Sequence, residues 1–496
     1  MARTTRSGVQ WSPWEFDAPD IFQSTVDLAP YVAQALSSSD QRAEAARFRE
    51  ANGLHEQPDE WVDEPPVSSR PHTPVSRSPS PLSDLPPSPE PLMLPSSPEP
   101  PVPTQPGYKR RRAAEKKARR AQERVARARA SVFGPAPQRR HYETRPQDPP
   151  YTAAAEATAI PSSSSGSWIG PGRQTVPSRE GLPCLEVLLA EGFHLVRWDG
   201  RRTKLILDSL GRIVAVLLGR PEGEDWDDVM AELVRVFEGV RRRGLKRGVF
   251  KALNRRHRRG DFYVLQDGFT KGPGQKKPGN LAHSKAYRDL LETVFRSTAA
   301  GRIAGFQSSG LASFLPKLYQ HQRATLRAIQ DAQSELTRPF ANSVFPTATF
   351  NLGPNVVMSE HLDFLNNPFG MCAVTSAGNF DHQNGGHIYM KQLKVACEFP
   401  SGSTILLLSG TCDHGNTPIQ QGETRYSMTQ YATGALFRWA AYGHQSADSL
   451  LSQPGGAARK AAIDGDPGAR AAWAVGLLSK AAELDADRQA VFGERR

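Results

Sequence analysis

Residues 359–363 read Ser-Glu-His-Leu-Asp, residues 412–416 read Cys-Asp-His-Gly-Asn, and residues 425–427 read Arg-Tyr-Ser. Side chains two residues apart in an extended strand point to the same face, because successive side chains alternate between faces. His361 and Asp363 can therefore share one metal ion, and His414 is the candidate for a third ligand. The three segments predict a metal site in a β-rich part of the chain.

The types of ligand indicate which metal this site binds. Two imidazole nitrogens and one carboxylate oxygen on one face form the 2-His-1-carboxylate arrangement of non-haem Fe(II) oxygenases, which leaves other positions of an octahedron open. Arg425 and Ser427 also share a strand face, and a guanidinium with a hydroxyl can hold a carboxylate by charge-assisted hydrogen bonds. The His-x-Asp pattern alone arises by chance in many chains, so the prediction depends on the whole series.

The chain resembles the double-stranded β-helix, or jelly-roll, core of Fe(II)/2-oxoglutarate dioxygenases. Within that class it is most similar to the TET/JBP family in its fungal, basidiomycete-like branch. The resemblance extends more loosely over residues 182–443. It is carried by His361-x-Asp363, Gly385-Gly386 before a strand, Pro400-Ser401-Gly402 in a turn, His414-x-Asn416, Arg425-x-Ser427 and the run from Gln430 to Trp439.

The resemblance implies a ligand set and a co-substrate. Fe(II) would be held by His361, Asp363 and His414, while Arg425 and Ser427 hold the distal carboxylate of 2-oxoglutarate. His361, Asp363, His414 and Arg425 are then the catalytic residues, with O₂ as the second co-substrate. The reaction expected of such a site is hydroxylation of an unactivated C–H bond, with 2-oxoglutarate converted to succinate and carbon dioxide.

The TET/JBP resemblance also implies a substrate, the methyl group of 5-methylcytosine in DNA. The base must leave the helix to reach a buried metal. Asn366 or Asn416 would meet the base edge, although asparagines in turns near a strand are structurally ordinary. Positively charged side chains would hold the phosphates, with a solvated loop as the alternative. The candidates for phosphate contact are Arg255, Arg256, Arg258, Arg259, Lys276 and Lys277.

Two other functions are compatible with these motifs. The chain can be a 2-oxoglutarate dioxygenase of a protein side chain or of another modified base, because the iron and co-substrate motifs are common to those branches. It can also be a catalytically inactive DNA-binding protein associated with transposons or chromatin. The complete set of His361, Asp363, His414 and Arg425 argues against inactivity, since decay would be expected to remove a ligand.

The formal net charge of +11 is unevenly distributed. Residues 1–108 carry seven Lys and Arg against 15 Asp and Glu, whereas Lys109–Arg129 carries 11 basic residues against two acidic ones. A second basic cluster, Arg241–Lys277, has 13 basic residues against Asp261 and Asp267. Such blocks indicate an anionic partner, most simply nucleic acid, and the first basic run predicts import into the nucleus.

Composition divides the chain into one large α+β domain and flanking segments. Residues 1–108 are rich in Pro, Ser and acids, so we expect disorder there and a role in docking protein partners. The predicted divisions are a disordered region 1–108, a basic segment 109–130, a linker 131–181, a dioxygenase domain 182–443 with a cap at 182–343 and a β core at 344–443, and a tail 444–496 with a C-terminal helix.

The periodicity of apolar residues predicts the elements of the domain. The cap should contain a small antiparallel meander within residues 194–218 and helices near 225–240, 284–298 and 318–336. The strands expected in the core are 348–352, 372–377, 387–395, 404–408, 412–417 and 426–433.

The four cysteines lack Cys-x-x-Cys spacing, so we expect reduced, mostly buried thiols rather than disulfides or a zinc ribbon. No stretch has the length and apolar composition of a signal peptide or membrane span, so a soluble protein without a membrane partner is expected.

Overall fold

The computed structural model describes residues 3–4, 10–11, 137–159, 168–170, 182–221, 225–251, 256–257, 259–272 and 275–493. The chain forms two units, Met1–Pro95 and Ser96–Arg496. In the first unit, strands β1 (Arg3–Thr4) and β2 (Gln10–Trp11) pair antiparallel. The rest of the predicted disordered region and the basic segment at 109–130 lie outside the described residues.

The second unit is a mixed α+β structure, as predicted. Its strands are β3 (Tyr151–Thr152), β4 (His194–Val196), β5 (Lys204–Leu207), β6 (Ile213–Leu218), β7 (Arg256–His257), β8 (Gly260–Asp261), β9 (Val264–Thr270), β10 (Gly279–Asn280), β11 (Thr347–Asn351), β12 (Cys372–Asn379), β13 (Ile388–Met390), β14 (Val395–Cys397), β15 (Thr404–Leu407), β16 (His414–Asn416) and β17 (Thr424–Tyr431).

Two sheets organise this unit. The larger has nine described strands in the order β10-β9-β11-β17-β12-β15-β6-β5-β3, and the smaller has four in the order β16-β13-β14-β4. The neighbours in both sheets are antiparallel except for β3 with β5 and β4 with β14. Strands β7 and β8 form a separate hairpin. Residues of β11, β12 and β17 face residues of β13 and β16 across one cavity.

Helices pack around both sheets. The described helices are α1 (Arg140–Glu143), α2 (Leu185–Ala190), α3 (Trp226–Lys246), α4 (Lys285–Arg296), α5 (Thr298–Phe314), α6 (Pro316–Ala332), α7 (Gly434–Ala441), α8 (Ala447–Leu451), α9 (Gly456–Asp464), α10 (Pro467–Val475) and α11 (Leu484–Phe492). Leu233, Phe237 and Val240 of α3 are fully buried in a cluster that includes Phe350 of β11 and Met428 of β17. The apolar stripe predicted for this helix therefore packs on the sheet that carries the site.

Helix α5 was not predicted, and its composition explains why. It is built largely from Ala, Gly and Ser, and 12 of its 17 residues are buried, so it has no polar face to produce a helical period. A Cβ at Gly310 would come within 2.3 Å of Leu218 Cδ1 on β6, which shows how closely the helix approaches the sheet. Small residues permit this approach.

The predicted linker at 131–181 contains packed structure. Strand β3 pairs with β5, Tyr142 and Ala153 are buried in the main core, and Trp168 is buried in a second cluster. This segment is rich in Pro and Ser and contains few apolar residues, so its overall composition does not reveal that some of them are buried. The ordered part of the domain therefore begins before the predicted boundary at residue 182.

The predicted pairing of strands in the meander at 194–218 was also wrong. Strands β5 and β6 are neighbours in the larger sheet, but β4 pairs in parallel with β14 in the smaller one. The strand predicted at 387–395 is two strands, β13 and β14, joined by a turn in which Lys394 has a φ of 51°.

The tail at 444–496 contains four helices rather than one. Val475, Leu478 and Leu484 contribute to the main core, whereas Trp473 on α10 is 51% exposed. Residues 476–483 separate α10 from α11, so the predicted C-terminal helix is not continuous. Among the described residues, no helix has the length and apolar character needed to span a membrane.

Candidate metal centre

The three predicted ligands come together in the cavity between the sheets. The ligand atoms of His361, Asp363 and His414 all lie within 4.8 Å of one another. Backbone hydrogen bonds of 3.0 Å in both directions join His361 to His414, and the Asp363 amide donates to the Ser409 carbonyl at 2.9 Å. Antiparallel pairing therefore places the two imidazoles side by side, with ring centroids 4.3 Å apart.

Each histidine is oriented by the backbone two residues earlier. His361 Nδ1 lies 2.8 Å from the Ser359 carbonyl oxygen, and His414 Nδ1 lies 2.9 Å from that of Cys412. A carbonyl oxygen only accepts, so each Nδ1 must donate, and each Nε2 keeps its lone pair for a metal. Burial, and then the neighbouring His414, hold the pKa of His361 well below its usual range. The neutral form that coordinates metals is therefore favoured.

Two side chains fix the carboxylate of Asp363. Arg259 Nη2 donates to Oδ1 at 2.5 Å, and Asn366 Nδ2 donates to Oδ2 at 3.4 Å and to Ser409 Oγ at 3.0 Å. Burial disfavours the charge of Arg259, but Asp363 raises the pKa of this guanidinium overall. The carboxylate of Asp363 thus has a defined orientation in the cavity.

Arg425 is a buried cation on the same cavity wall. Its side chain is 1% exposed; Nη1 donates to the Val356 carbonyl at 2.6 Å and to Asn416 Oδ1 at 3.4 Å, while Nε has no hydrogen-bond partner. Burial lowers the pKa of Arg425 to about 10, and no carboxylate of the described residues pairs with it. A buried charge is costly unless it is compensated, so this arrangement fits an anionic ligand.

Ser427 lies beside Arg425 on β17, as predicted. Its hydroxyl accepts a hydrogen bond from Asn351 Nδ2 at 2.8 Å, and both side chains line the cavity. With its acceptor position occupied by Asn351, the Ser427 hydroxyl can donate to a ligand. Arg425 and Ser427 thus offer several donors to one carboxylate.

Other predicted site residues have different surroundings. Arg259 was expected on a phosphate-binding surface, but it points into the metal cavity, because the β7–β8 hairpin lies against residues near Ser359. Asn416 contacts Arg425, and Asn366 holds Asp363, so hydrogen bonds within the protein occupy both amides. A direct contact of either with a base edge stays a prediction.

Lys276 and Lys277 do not line the cavity. Lys277 Nζ is 3.3 Å from Glu335 Oε1 on the surface, and Lys276 is exposed. Arg255, Arg258 and the side chain of Arg256 lie outside the described residues. Their contact with phosphate therefore stays a prediction.

Several cavity residues were not predicted. Thr429 and Tyr431 continue the inward face of Arg425 and Ser427 along β17, and Thr349 and Asn351 do the same along β11. The period of two was visible in the sequence and would have identified them. Arg259 carries no such signal, because its contact with Asp363 is formed by tertiary structure.

The cysteines match the sequence expectation. All four are free; Cys372, Cys397 and Cys412 are buried, and Cys184 is exposed. Burial raises the pKa of Cys372, which lines the cavity, to about 12. Its thiol is therefore protonated at neutral pH.

The similarity of this chain to known proteins is low. No family model and no curated protein matches the chain. One similar solved structure is NgTET1 in complex with 5mC DNA, with 14% identity, a TM-score of 0.34, and coverage of 49% of this chain and 82% of that one. Another is an oxidoreductase of the 2OG-Fe(II) oxygenase family from Burkholderia pseudomallei, with 15% identity, a TM-score of 0.21, and coverage of 43% and 92%. At these TM-scores neither likeness assigns a fold or an activity to this chain.

Proposed function

We propose that this protein is a dioxygenase dependent on Fe(II) and 2-oxoglutarate, and that its two sheets form a double-stranded β-helix. The observation that carries the proposal is the guanidinium of Arg425, which pairs with no carboxylate of the described residues and lies in the same cavity as His361, Asp363 and His414. Two neutral imidazoles and a carboxylate fit Fe(II), and the buried cation fits the distal carboxylate of 2-oxoglutarate.

The chain's own residues have distinct parts in this reaction. When bound, Fe(II) with 2-oxoglutarate and O₂ supplies the oxidising power to hydroxylate a C–H bond. His361, Asp363 and His414 hold the ion on one face, and Arg259 with Asn366 keeps the carboxylate of Asp363 oriented. Arg425 and Ser427 fix the far end of the co-substrate.

Part of the cavity wall is apolar. Val374 and Ile388 are apolar lining residues from opposite sheets, and Met358 adds a third apolar side chain. Apolar side chains around the site disfavour bound water there and so limit side reactions with water.

We propose 5-methylcytosine in DNA as the substrate, with the protein acting in the nucleus. Support comes from the two basic blocks of the sequence and from the TET/JBP motifs around the ligands. A flipped base would bring its methyl group to the metal, and O₂ would be the second co-substrate. Oxidation of a protein side chain or of another modified base uses the same metal and co-substrate residues.

The test is product analysis with purified full-length protein, Fe(II) and 2-oxoglutarate. Methylated duplex, unmethylated duplex and a mixed peptide pool are supplied separately, and succinate and oxidised nucleosides are measured by mass spectrometry. We expect hydroxymethylcytosine and additional succinate with methylated DNA alone. His361→Ala should abolish both, whereas His382→Ala, a half-buried histidine outside the triad, should retain them.

The results distinguish the type of reaction from the identity of the substrate. Succinate formation that is stimulated by peptides rather than DNA would retain the dioxygenase and reject the DNA substrate. No Fe(II)-dependent binding of 2-oxoglutarate by calorimetry, together with no succinate, would reject the dioxygenase itself.

A further inference from the structure

The turn at residues 391–394, which joins β13 to β14, lies against the segment that precedes His414. Gln392 of this turn forms two hydrogen bonds of 2.7 Å with Asp413: its Nε2 donates to Oδ2, and its Oε1 accepts from the backbone N–H. The backbone N–H of Lys391 donates to the Asp413 carbonyl at 2.9 Å. The turn therefore binds both backbone polar groups of the residue next to a predicted metal ligand.

One peptide group links Gln392 to the imidazole of His414. The N–H of Asp413 and the carbonyl of Cys412 belong to the same peptide group, which is planar. Gln392 Oε1 accepts from that N–H, and His414 Nδ1 donates to that carbonyl at 2.9 Å. Because the group is planar, fixing the direction of its N–H also fixes the direction of its carbonyl. Gln392 thus restrains the acceptor that orients His414.

The carboxylate of Asp413 keeps Gln392 in this position. Its Oδ1 is buried and has no hydrogen-bond partner among the described residues, whereas Oδ2 accepts from Gln392. A buried acceptor is costly to leave unpaired, so rotation of Gln392 away from Asp413 is disfavoured. The two hydrogen bonds therefore hold the amide of Gln392 in one orientation.

A second side chain of the turn makes a weaker contact. Lys391 Nζ lies 2.6 Å from Glu360 Oε1, next to His361 in the sequence, but the two side chains are 50% and 31% exposed. Ion pairs this accessible to water contribute little, because the solvent screens them. Lys391 is therefore a matched control for Gln392 within the same turn.

We propose that Gln392 is a positioning residue of the metal centre, which holds the His414 imidazole with Nε2 directed at the ion. Gln392 does not line the cavity, so it acts through the peptide group between Cys412 and Asp413. The inference rests on the proposed function for the identity of the ion, Fe(II). Residues that orient metal ligands in this way contribute to metal affinity without touching the metal.

The experiment measures metal binding by the full-length protein, without 2-oxoglutarate, DNA or turnover. Co(II) is the probe, because N/O sites bind it much as they bind Fe(II) and its visible absorption reports the geometry of its ligands. Calorimetric titration of Gln392→Ala should show an affinity for Co(II) about 10- to 100-fold below wild type, with altered absorption bands. Lys391→Ala should retain the wild-type affinity and spectrum.

A rescue experiment tests the two hydrogen bonds directly. Gln392→Glu places a carboxylate oxygen against Asp413 Oδ2, so it should lower the affinity for Co(II) as Gln392→Ala does. Adding Asp413→Asn should restore the affinity, because the introduced amide can donate to one carboxylate oxygen while the other still accepts from the backbone N–H. Thermal unfolding without metal checks that each variant is folded. If Gln392→Ala does not fold, Gln392→Glu and its rescue decide the proposal.

Wild-type affinity for Co(II) in Gln392→Ala would overturn the inference. An equal loss in Lys391→Ala would also overturn it, because the turn as a whole would then be responsible. Failure of Asp413→Asn to rescue Gln392→Glu would contradict the role of the paired hydrogen bonds. If wild type binds Co(II) no better than His361→Ala does, the proposed metal centre is rejected together with this inference, so the two failures are distinguishable.

Discussion

Arg259 Nη2 lies 2.5 Å from Asp363 Oδ1, although 104 residues separate them in the sequence. The pair joins the β7–β8 hairpin to a predicted metal ligand. Its role is to position the carboxylate, since Asn366 holds only the other oxygen, at a longer distance of 3.4 Å.

Replacing Arg259 should therefore impair the site without removing a ligand. Arg259→Gln is expected to lower Fe(II) affinity or succinate formation by about 10- to 100-fold, the range typical of partners that orient metal ligands. Arg259→Lys should recover part of the loss, because it keeps the charge but not the planar geometry. Fe(II) titration and turnover are the measurements, and wild-type values in Arg259→Gln would show that the contact is dispensable.

The part of the cavity lined by Arg425 and Ser427 gives a second prediction. Arg425→Lys should raise the KM for 2-oxoglutarate by about tenfold or more and leave the affinity for DNA unchanged, because lysine loses the two-point grip on a carboxylate. Asn351→Ala should have a smaller effect in the same direction, since it frees the Ser427 hydroxyl that Asn351 orients. If both variants keep the wild-type KM, the carboxylate is held elsewhere.

The buried His387 gives a prediction about pH. It is 1% exposed, its Nδ1 lies 3.0 Å from Thr417 Oγ1, and burial, with His382, lowers its pKa to about 4. Between pH 6.5 and this value the unfolded chain binds a proton that the folded chain does not. His387 should therefore make its full contribution to the free energy of unfolding above pH 6.5. Between pH 6.5 and about pH 4 this free energy should fall by about 1.4 kcal/mol for each unit of decrease in pH.

His387→Gln removes this titration while keeping a hydrogen-bonding group beside Thr417. Urea unfolding at about pH 7 and about pH 5.5 should show a difference in stability that is smaller by roughly 1 kcal/mol in the variant than in wild type. The exposed His194→Gln serves as the control and should behave like wild type. Equal acid sensitivity of all three proteins would contradict the assignment to His387.

Part of the candidate metal site was predictable because it depends on local geometry. Alternation of side chains along extended segments predicts that Arg425 and Ser427 share one face, and that His361 and Asp363 share another. In the structure all four side chains line the same cavity. What the sequence did not indicate depends on contacts between distant segments. The parallel pairing of β4 with β14 and the insertion of Arg259 into the cavity leave no periodic signal in the chain.

The N-terminal boundary of the folded domain also depends on contacts between distant segments. The composition of residues 131–181 predicts a linker, so removal of residues 1–180 would be expected to leave an intact domain. Tyr142 is instead 3% exposed beside Phe306 and Phe314, and its hydroxyl donates to the Phe306 carbonyl at 2.9 Å. Trp168 is 5% exposed and donates to Asp464 at 3.0 Å.

Two truncations test this boundary. Removal of residues 1–136 spares every described residue of the second unit and should leave the melting temperature of the domain unchanged. Removal of residues 1–181 takes away both aromatic side chains and strand β3, and the loss of one buried aromatic side chain typically costs about 3–5 kcal/mol. We expect the shorter protein to be insoluble or to unfold at a much lower temperature by calorimetry. Equal melting temperatures would show that residues 137–170 add nothing to the stability of the domain, and that the boundary lies near Leu182 after all.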